Sequence, residues 1–336
     1  MPVTRLSDVI VPEVYAGYMA KDTTDKTAIF ESGIMRTDGS FGALLAGGGR
    51  TFNMPFWNDL DNTEANVASD APDQKSVPRN VSASKDVAAR QFRTQSWSTM
   101  DLTGVLAGSD PLARIRERTN AYWNRQFQSF LVATLTGVFA DNAANDGGDM
   151  INDIGTDSGG APTAAELVSA EAIIDTAYTA GDLSNIFTTI IVHPTVMKRL
   201  KKLNLIDFIP DSEGRIKFER YLGYMIVEDD GVRTVTGTNR TKYWSYLVGE
   251  GAISWAESPP PNAVAVERDE SSGNGSGGET LYTRRQFLMH PNGIKWTDAS
   301  VTGNFPSNAD LATAANWDRV YSERKQIPIA ALVTNG

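Results

Sequence analysis

The side chains best suited to proton transfer near neutral pH are two histidines, and each precedes a proline: His193-Pro194 and His290-Pro291. A catalytic triad or a zinc site would need a carboxylate or a second imidazole placed to meet one of them, and the sequence puts neither beside His193 nor at i+4 from it. His193 is expected at the end of a strand, capping the helix that follows, and His290 in a turn. The absence of cysteine removes thiolate nucleophiles, disulfides, zinc ribbons and iron–sulfur clusters together. Gly47-Gly48-Gly49-Arg50 lacks the Lys-Ser/Thr of a phosphate loop and reads as a hinge. Asp229-Asp230-Gly231 lacks the alternating oxygen ligands and closing Glu of a calcium loop and reads as a turn. The 41 acidic residues offer many pairs for carboxylate chemistry, but no spacing singles one out. No catalytic residue, metal ligand or cofactor site is assigned.

The elements that would have to position any chemistry are clearer. Of 336 residues, 41 % are hydrophobic and 21 % charged, which fits one large globular domain or two joined ones. No stretch reaches the roughly eighteen apolar residues of a membrane span, and Met1-Pro2-Val3-Thr4-Arg5 does not open a signal peptide, so a soluble chain without membrane contact is expected. A formal charge of −10 argues against a dedicated nucleic-acid binder.

Residues 1–48 read as an arm, with a possible helix over Val9–Lys21. In Arg50–Trp57 the apolar Phe52, Met54 and Phe56 alternate with Thr51, Asn53 and Pro55, the period of a half-buried strand. A second extended run covers Asn80–Trp97. Between them Asp59, Asp61, Glu64, Asp70 and Asp73 face only Lys75. Two strands joined by such a loop form a hairpin unable to bury its own faces, which needs something to lie on. After Asp110-Pro111, apolar residues recur at helical spacing from Leu112 through Trp123, Phe127, Phe130 and Leu135 to Phe139. At ~1.5 Å per residue this helix spans about 45 Å.

Thr163 and Glu166 have capping-box spacing and predict a helix running to Gly181. Ile186–Val192 reads as a buried strand and Thr195–Leu203 as a helix, with Lys198, Arg199, Lys201 and Lys202 facing solvent. Further strands are expected at Tyr224–Glu228, Tyr243–Val248, Ala252–Ala256 and Thr280–His290. The fold class is α+β, with paired strands far apart in sequence.

Several strings in this order resemble the major capsid proteins of tailed bacteriophages, the Hong Kong 97-type fold. They are Ile190-Ile191-Val192-His193-Pro194 before a basic helix, Tyr221-Leu222-Gly223-Tyr224-Met225-Ile226-Val227-Glu228-Asp229, and Tyr246-Leu247-Val248-Gly249-Glu250-Gly251-Ala252-Ile253. Thr283-Arg284-Arg285 with His290-Pro291-Asn292-Gly293, and Asn316-Trp317-Asp318-Arg319-Val320-Tyr321, add to the likeness, which covers nearly the whole chain. The resemblance implies an N-terminal arm (1–48), an extended β-hairpin loop (49–100), a peripheral domain with a spine helix (101–162), an axial domain (163–257), and return strands to the peripheral domain with a C-terminal segment (258–336).

It further implies a non-enzymatic shell subunit that self-assembles into pentamers and hexamers of an icosahedral head, first as a procapsid that then matures. The hairpin would touch neighbouring copies through Phe52, Met54, Phe56, Trp57, Asp59, Asp61, Asp70, Lys75, Arg90, Arg93 and Trp97. Implied partners are a separate scaffolding protein, since no long extension precedes the arm, a portal protein, and packaged double-stranded DNA held without sequence-specific contact. Assembly in the host cytoplasm and residence in the virion follow. Two other readings are an encapsulin-like nanocompartment shell and, from another class, a soluble carboxylate-dependent hydrolase with two acids converging in one pocket.

Overall fold

Helix-forming spacing is obeyed most strictly between residues 101 and 145. In the computed structural model, which describes residues 34–37, 42, 45–60, 63–68, 70–73, 75–203, 207–210 and 216–336, α1 (Asp101–Ala107) stops at Gly108, whose φ of 65° is a left-handed conformation that glycine adopts without strain. The 35-residue α2 (Pro111–Asn145) starts at once: the Asp110 carboxylate accepts from the Leu112 N–H at 2.9 Å and proline occupies the first turn. Its buried face carries Trp123, Phe127, Phe130, Leu131, Leu135, Val138 and Phe139. Each such aromatic or leucine is worth ~1.5–3 kcal/mol when removed from water. The helix continues past the last residue of the apolar pattern, Phe139, to Asn145. Two short helices follow, α3 (Ala170–Ala177) and α4 (Pro194–Lys202).

The strands run β1 (Met35–Thr37), β2 (Thr51–Trp57), β3 (Ala83–Met100), β4 (Ile151–Asp153), β5 (Phe187–Val192), β6 (Asp207–Pro210), β7 (Ile216–Tyr221), β8 (Tyr224–Glu228), β9 (Thr234–Thr236), β10 (Thr241–Gly249), β11 (Ile253–Ser258), β12 (Val264–Asp269), β13 (Gly278–Pro291), β14 (Ile294–Trp296), β15 (Trp317–Arg319) and β16 (Ile329–Thr334). One sheet has the order β1-β11-β13-β3-β2, with β12 beside the N-terminal half of β13. The larger sheet has the order β4-β16-β10-β5-β8-β7-β6, with β9 on β10, and β14 pairs with β15.

The larger sheet is the wall between two cores. Alternation along its central strands sends Ile191, Tyr246, Val248, Ile329 and Ala331 to the side of α2. The intervening Ile190, Val192, Leu247, Ala330 and Leu332 point the other way, against Ala172 and Ile173 of α3 and Val196, Met197 and Leu200 of α4. On the first side Phe139 stacks on Tyr246, ring centroids 5.5 Å apart and planes 2° from parallel. Where α2 crosses the turn at 308–316, Gly137 lies so close to the Leu311 carbonyl and the Trp317 indole that a Cβ has no room.

Some local expectations change. The Thr163–Glu166 capping box forms, yet it closes only a short turn at Ala164–Glu166. The helix proper begins later, at Ala170, with the Ser169 hydroxyl accepting from the Ala172 N–H. His290 is not in a turn: it is the penultimate residue of β13 and buried, because the strand runs one residue further before Asn292-Gly293 reverses the chain. The second hairpin strand spans 83–100 rather than 80–97. Neither α1, β6, β7 nor β16 is foreseen from local pattern. β16 lies between β4 and β10, so the 258–336 segment contributes an interior strand to a sheet whose other strands come mostly from 163–257. The helix expected over Val9–Lys21 falls outside the described residues.

Candidate functional site: the projecting arm and its root

β2 and β3 form an antiparallel ladder from Thr51↔Ala89 to Trp57↔Ala83. β3 does not end with the hairpin. Its second half, Arg90–Met100, pairs with β13 over Leu288–Gly278, so one strand belongs to both the body sheet and the arm. An isolated hairpin is marginal in water, and here its base is continuous with a larger sheet. At its root the hairpin lies on the body of its own chain: Phe52 and Ala88 are buried with Leu45, Ala256 and Leu288.

Polar contacts fix the root as well. Arg50 Nη2 lies 2.6 Å from Asp298 Oδ1. His290 Nε2 of the body lies 2.9 Å from Asp86 Oδ2 of the arm, both side chains nearly out of solvent. The Asp86 carboxylate also accepts from the N–H groups of Val87 (2.8 Å) and Gly293 (3.2 Å). Burial pushes this carboxyl upward, but His290 and the two N–H groups outweigh it and hold it below the usual carboxylate value. Phe56 meets Tyr321 edge to face, 5.4 Å between centroids.

The residues proposed as contacts fall into groups. Phe52, Arg90, Arg93 and Trp97 have partners in their own chain. Arg90 lies over the Phe52 ring at 5.2 Å and donates to the carbonyls of Leu45 and Gly47. Arg93 lies 4.7 Å from the Phe130 ring centroid and donates to Pro306 O and Asn308 Oδ1, and burial lowers its pKa. Trp97 packs edge to face on Tyr122 at 5.2 Å. Met54 and Phe56 are half-buried, while Trp57, Asp59, Asp70 and Lys75 stand in solvent. Asp61 lies outside the described residues.

Beyond Trp57 the chain leaves the sheet. The loop is tied at its neck by the Asn58 amide, which donates to the Ser82 and Ser84 hydroxyls at 2.9 Å, and by Asn58 N–H to Ser82 O. Above that neck Trp57 is 75 % exposed, Leu60 71 %, Val67 86 % and Val77 71 %. Apolar side chains this exposed, interspersed with carboxylates, mark a surface that gains by meeting another one. Leu60, Val67 and Val77 were missed by pattern reasoning because the charges around them dominate the segment.

His193, the carboxylates around Arg268 and Glu166 are each engaged within the chain. His193 Nδ1 accepts from the Thr195 N–H at 3.2 Å, the cap expected of it. Asp101, Glu270 and Glu279 converge on Arg268 at 2.6–2.8 Å and raise its pKa. Glu166 accepts from the Thr156 hydroxyl, the Thr163 N–H and Arg240, which hold its carboxyl at about 2 and leave it without a proton to donate. Among the described residues no cluster of three His, Asp or Glu side chains could hold a metal ion, and no helix is long and apolar enough to cross a membrane.

No family model matches the chain. It is 38 % identical over 328 residues to the major capsid protein of Bacillus phage SPP1, covering 97 % of this chain and 96 % of that one. Among solved structures it superposes on the capsid asymmetric unit of cyanophage Pam1 with a TM-score of 0.61 at 10 % identity, covering 96 % of each chain. The capsid of Ralstonia phage GP4 superposes with a TM-score of 0.59 at 11 % identity, over 100 % of this chain and 98 % of that one. At such identities the two superpositions speak for the fold.

Proposed function

Since the chain belongs to the major capsid proteins of tailed bacteriophages, with their Hong Kong 97-type α+β fold, we propose that it closes the head shell by laying its exposed loop, residues 58–82, on neighbouring copies. The protein is a virion component that builds multimeric shells. The observation that carries the clamping role is the exposure of Trp57, Leu60, Val67 and Val77 beyond a root anchored in the body sheet. A rigid root with an unsatisfied tip converts many weak contacts into a stable lattice, because each subunit is held at several points.

The domain division follows the same reading. The core around α2 is the peripheral domain, the core around α3 and α4 the axial domain, and axial domains meet around five- and six-fold axes as pentamers and hexamers. A separate scaffolding protein guides a procapsid in the host cytoplasm, a portal protein takes one vertex, and double-stranded DNA is enclosed without base-specific contact. The net charge of −10 supports the last point, because a net-negative subunit repels phosphate on the whole. During maturation the body would stay rigid while the arm changes angle.

Deleting Asn58–Val77 tests the clamping role. The expected product is a folded subunit, by circular dichroism and gel filtration, that forms no stable shells under conditions where the unmodified chain does. Normal shells from the deletion would overturn it.

A further inference from the structure

Three asparagines in the chain precede glycine: Asn274-Gly275, Asn292-Gly293 and Asn335-Gly336. Two of them are held at both ends of the side chain. The Asn292 amide accepts from the Ser254 hydroxyl and donates to the Gly251 carbonyl, each at 2.7 Å, and the Gly293 N–H beyond it donates to Asp86 at 3.2 Å. The Asn335 amide accepts from the Thr156 N–H at 2.8 Å and donates to the carbonyls of Thr156 and Thr241 at 3.0 and 3.1 Å.

Asn274 is set differently. It lies between β12 and β13 in the turn Ser272–Gly275, where Gly273, Asn274 and Gly275 all have left-handed backbones, with φ of 64°, 58° and 90°. Asparagine is among the few side chains that adopt this conformation, and a glycine on each side lets the peptide planes around it turn. The turn is seated on one side by Met100, whose methyl lies so close to Gly273 that a Cβ there has no room. On the other side a Cβ at Gly275 would meet nothing within 4 Å. Asn274 is exposed, and its side-chain amide has no hydrogen-bond partner among the described residues.

From this contrast we infer that Asn274 is a site of spontaneous deamidation and isomerisation, the one Asn-Gly pair of the three that the fold leaves reactive. The Gly275 nitrogen attacks the side-chain carbonyl carbon of Asn274. The N–Cγ bond forms, the Cγ–Nδ2 bond breaks, and ammonia leaves with the proton that Gly275 carried, which closes a succinimide. Water then opens the ring at Cγ, giving aspartate, or at the backbone carbonyl, giving isoaspartate, and the new carboxyl releases its proton to solvent. Alignment decides the rate, since misplacing the reacting atoms by ~1 Å costs about a hundredfold. The hydrogen bonds on Asn292 and Asn335 deny those amides the approach. Either product adds a negative charge to a hairpin where Asp101, Glu270 and Glu279 already share Arg268.

Full-length chain held in mildly alkaline buffer, sampled over time and mapped by mass spectrometry of its peptides tests this. The change from amide to acid should appear at Asn274 at least about tenfold faster than at Asn292 or Asn335. The product should be a mixture, with the isoaspartate fraction labelled by isoaspartyl methyltransferase. An acidic satellite should grow in isoelectric focusing, migrate with the Asn274→Asp variant, and fail to form from Asn274→Gln. In denaturant, where the bonds around Asn292 are gone, Asn274 and Asn292 should convert at similar rates. An Asn274 that stays intact in the folded chain, or one that converts no faster than Asn292, would overturn the inference. So would a difference that persists in denaturant, because it would then arise from local sequence and not from the fold.

Discussion

Replacing Asp86 by alanine isolates one of the contacts that fix the arm to the body. The change removes the acceptor 2.9 Å from His290 Nε2 and strips the Gly293 and Val87 N–H groups of their side-chain partner. His290 is 1 % exposed, so water does not readily replace the carboxylate. A buried donor left without its acceptor costs ~1–3 kcal/mol, and the Asp86 carboxylate serves two backbone N–H groups besides facing the His290 ring. The alanine variant should therefore lose about 3 kcal/mol, read as a lower denaturant midpoint of the unassembled subunit by tryptophan fluorescence. His290→Gln should lose less, and the double variant should fall short of the sum of the two, because the residues touch. The sign with pH follows from the lowered Asp86 carboxyl: its contribution is complete above the ordinary value of 3.8 and disappears as pH falls through the lower folded-state value. The alanine variant should accordingly have a shallower acid limb than the unmodified chain. A loss under about 1 kcal/mol, or strict additivity in the double variant, would refute a working pair at the arm root.

Other consequences are open to measurement. Gly137→Ala would gain roughly 1 kcal/mol of helix propensity, but its Cβ would enter the space of the Leu311 carbonyl and the Trp317 indole, which are themselves hydrogen-bonded at 2.7 Å. Overpacking of ~1–3 kcal/mol should prevail, so thermal unfolding should move down, and an unchanged or raised midpoint would contradict the packing of α2 on that turn. Glu166, held at about 2, should contribute stability that is complete above about 4.5 and is lost as pH falls through 2. Arg240→Met should reduce this acid-dependent component without removing it, since the Thr156 hydroxyl and the Thr163 N–H still bind the carboxylate, and should speed amide exchange over residues 156–166, because Arg240 also donates to the carbonyls of Gly160 and Ala161. Exchange unchanged in that segment would argue against the clasp.

What could be read in advance follows from how locally each feature is encoded. α2 is legible because its stripe from Trp123 to Phe139 repeats one helical face over many turns and its Asp-Pro start is chemical. β2 is legible because one face alone is buried. β16 is not: Ile329-Ala330-Ala331-Leu332-Val333-Thr334 is buried on both faces, so it has no alternation, and its alanines carry no strand preference. The Thr163–Glu166 cap was visible, but Val168 is drawn out of helix by donating to the Gly336 carbonyl, a contact no local window contains. Asp86 and His290 lie more than two hundred positions apart and meet only because β3 and β13 are neighbours. The candidate contacts divide for the same reason. Arg90, Arg93 and Trp97 sit in the half of β3 that the body sheet claims, and hydropathy cannot mark where a strand passes from one setting to the next.

That a single strand, β3, is both the arm's second strand and a member of the body sheet has a mechanical consequence. A pull on the loop along the strand loads the rungs between Arg90 and Met100 together, in shear, rather than peeling them one after another. The load passes sideways into α2 through Arg93 on Phe130 and Trp97 on Tyr122. Tension between neighbouring subunits is then borne by α2 and by a whole ladder at once.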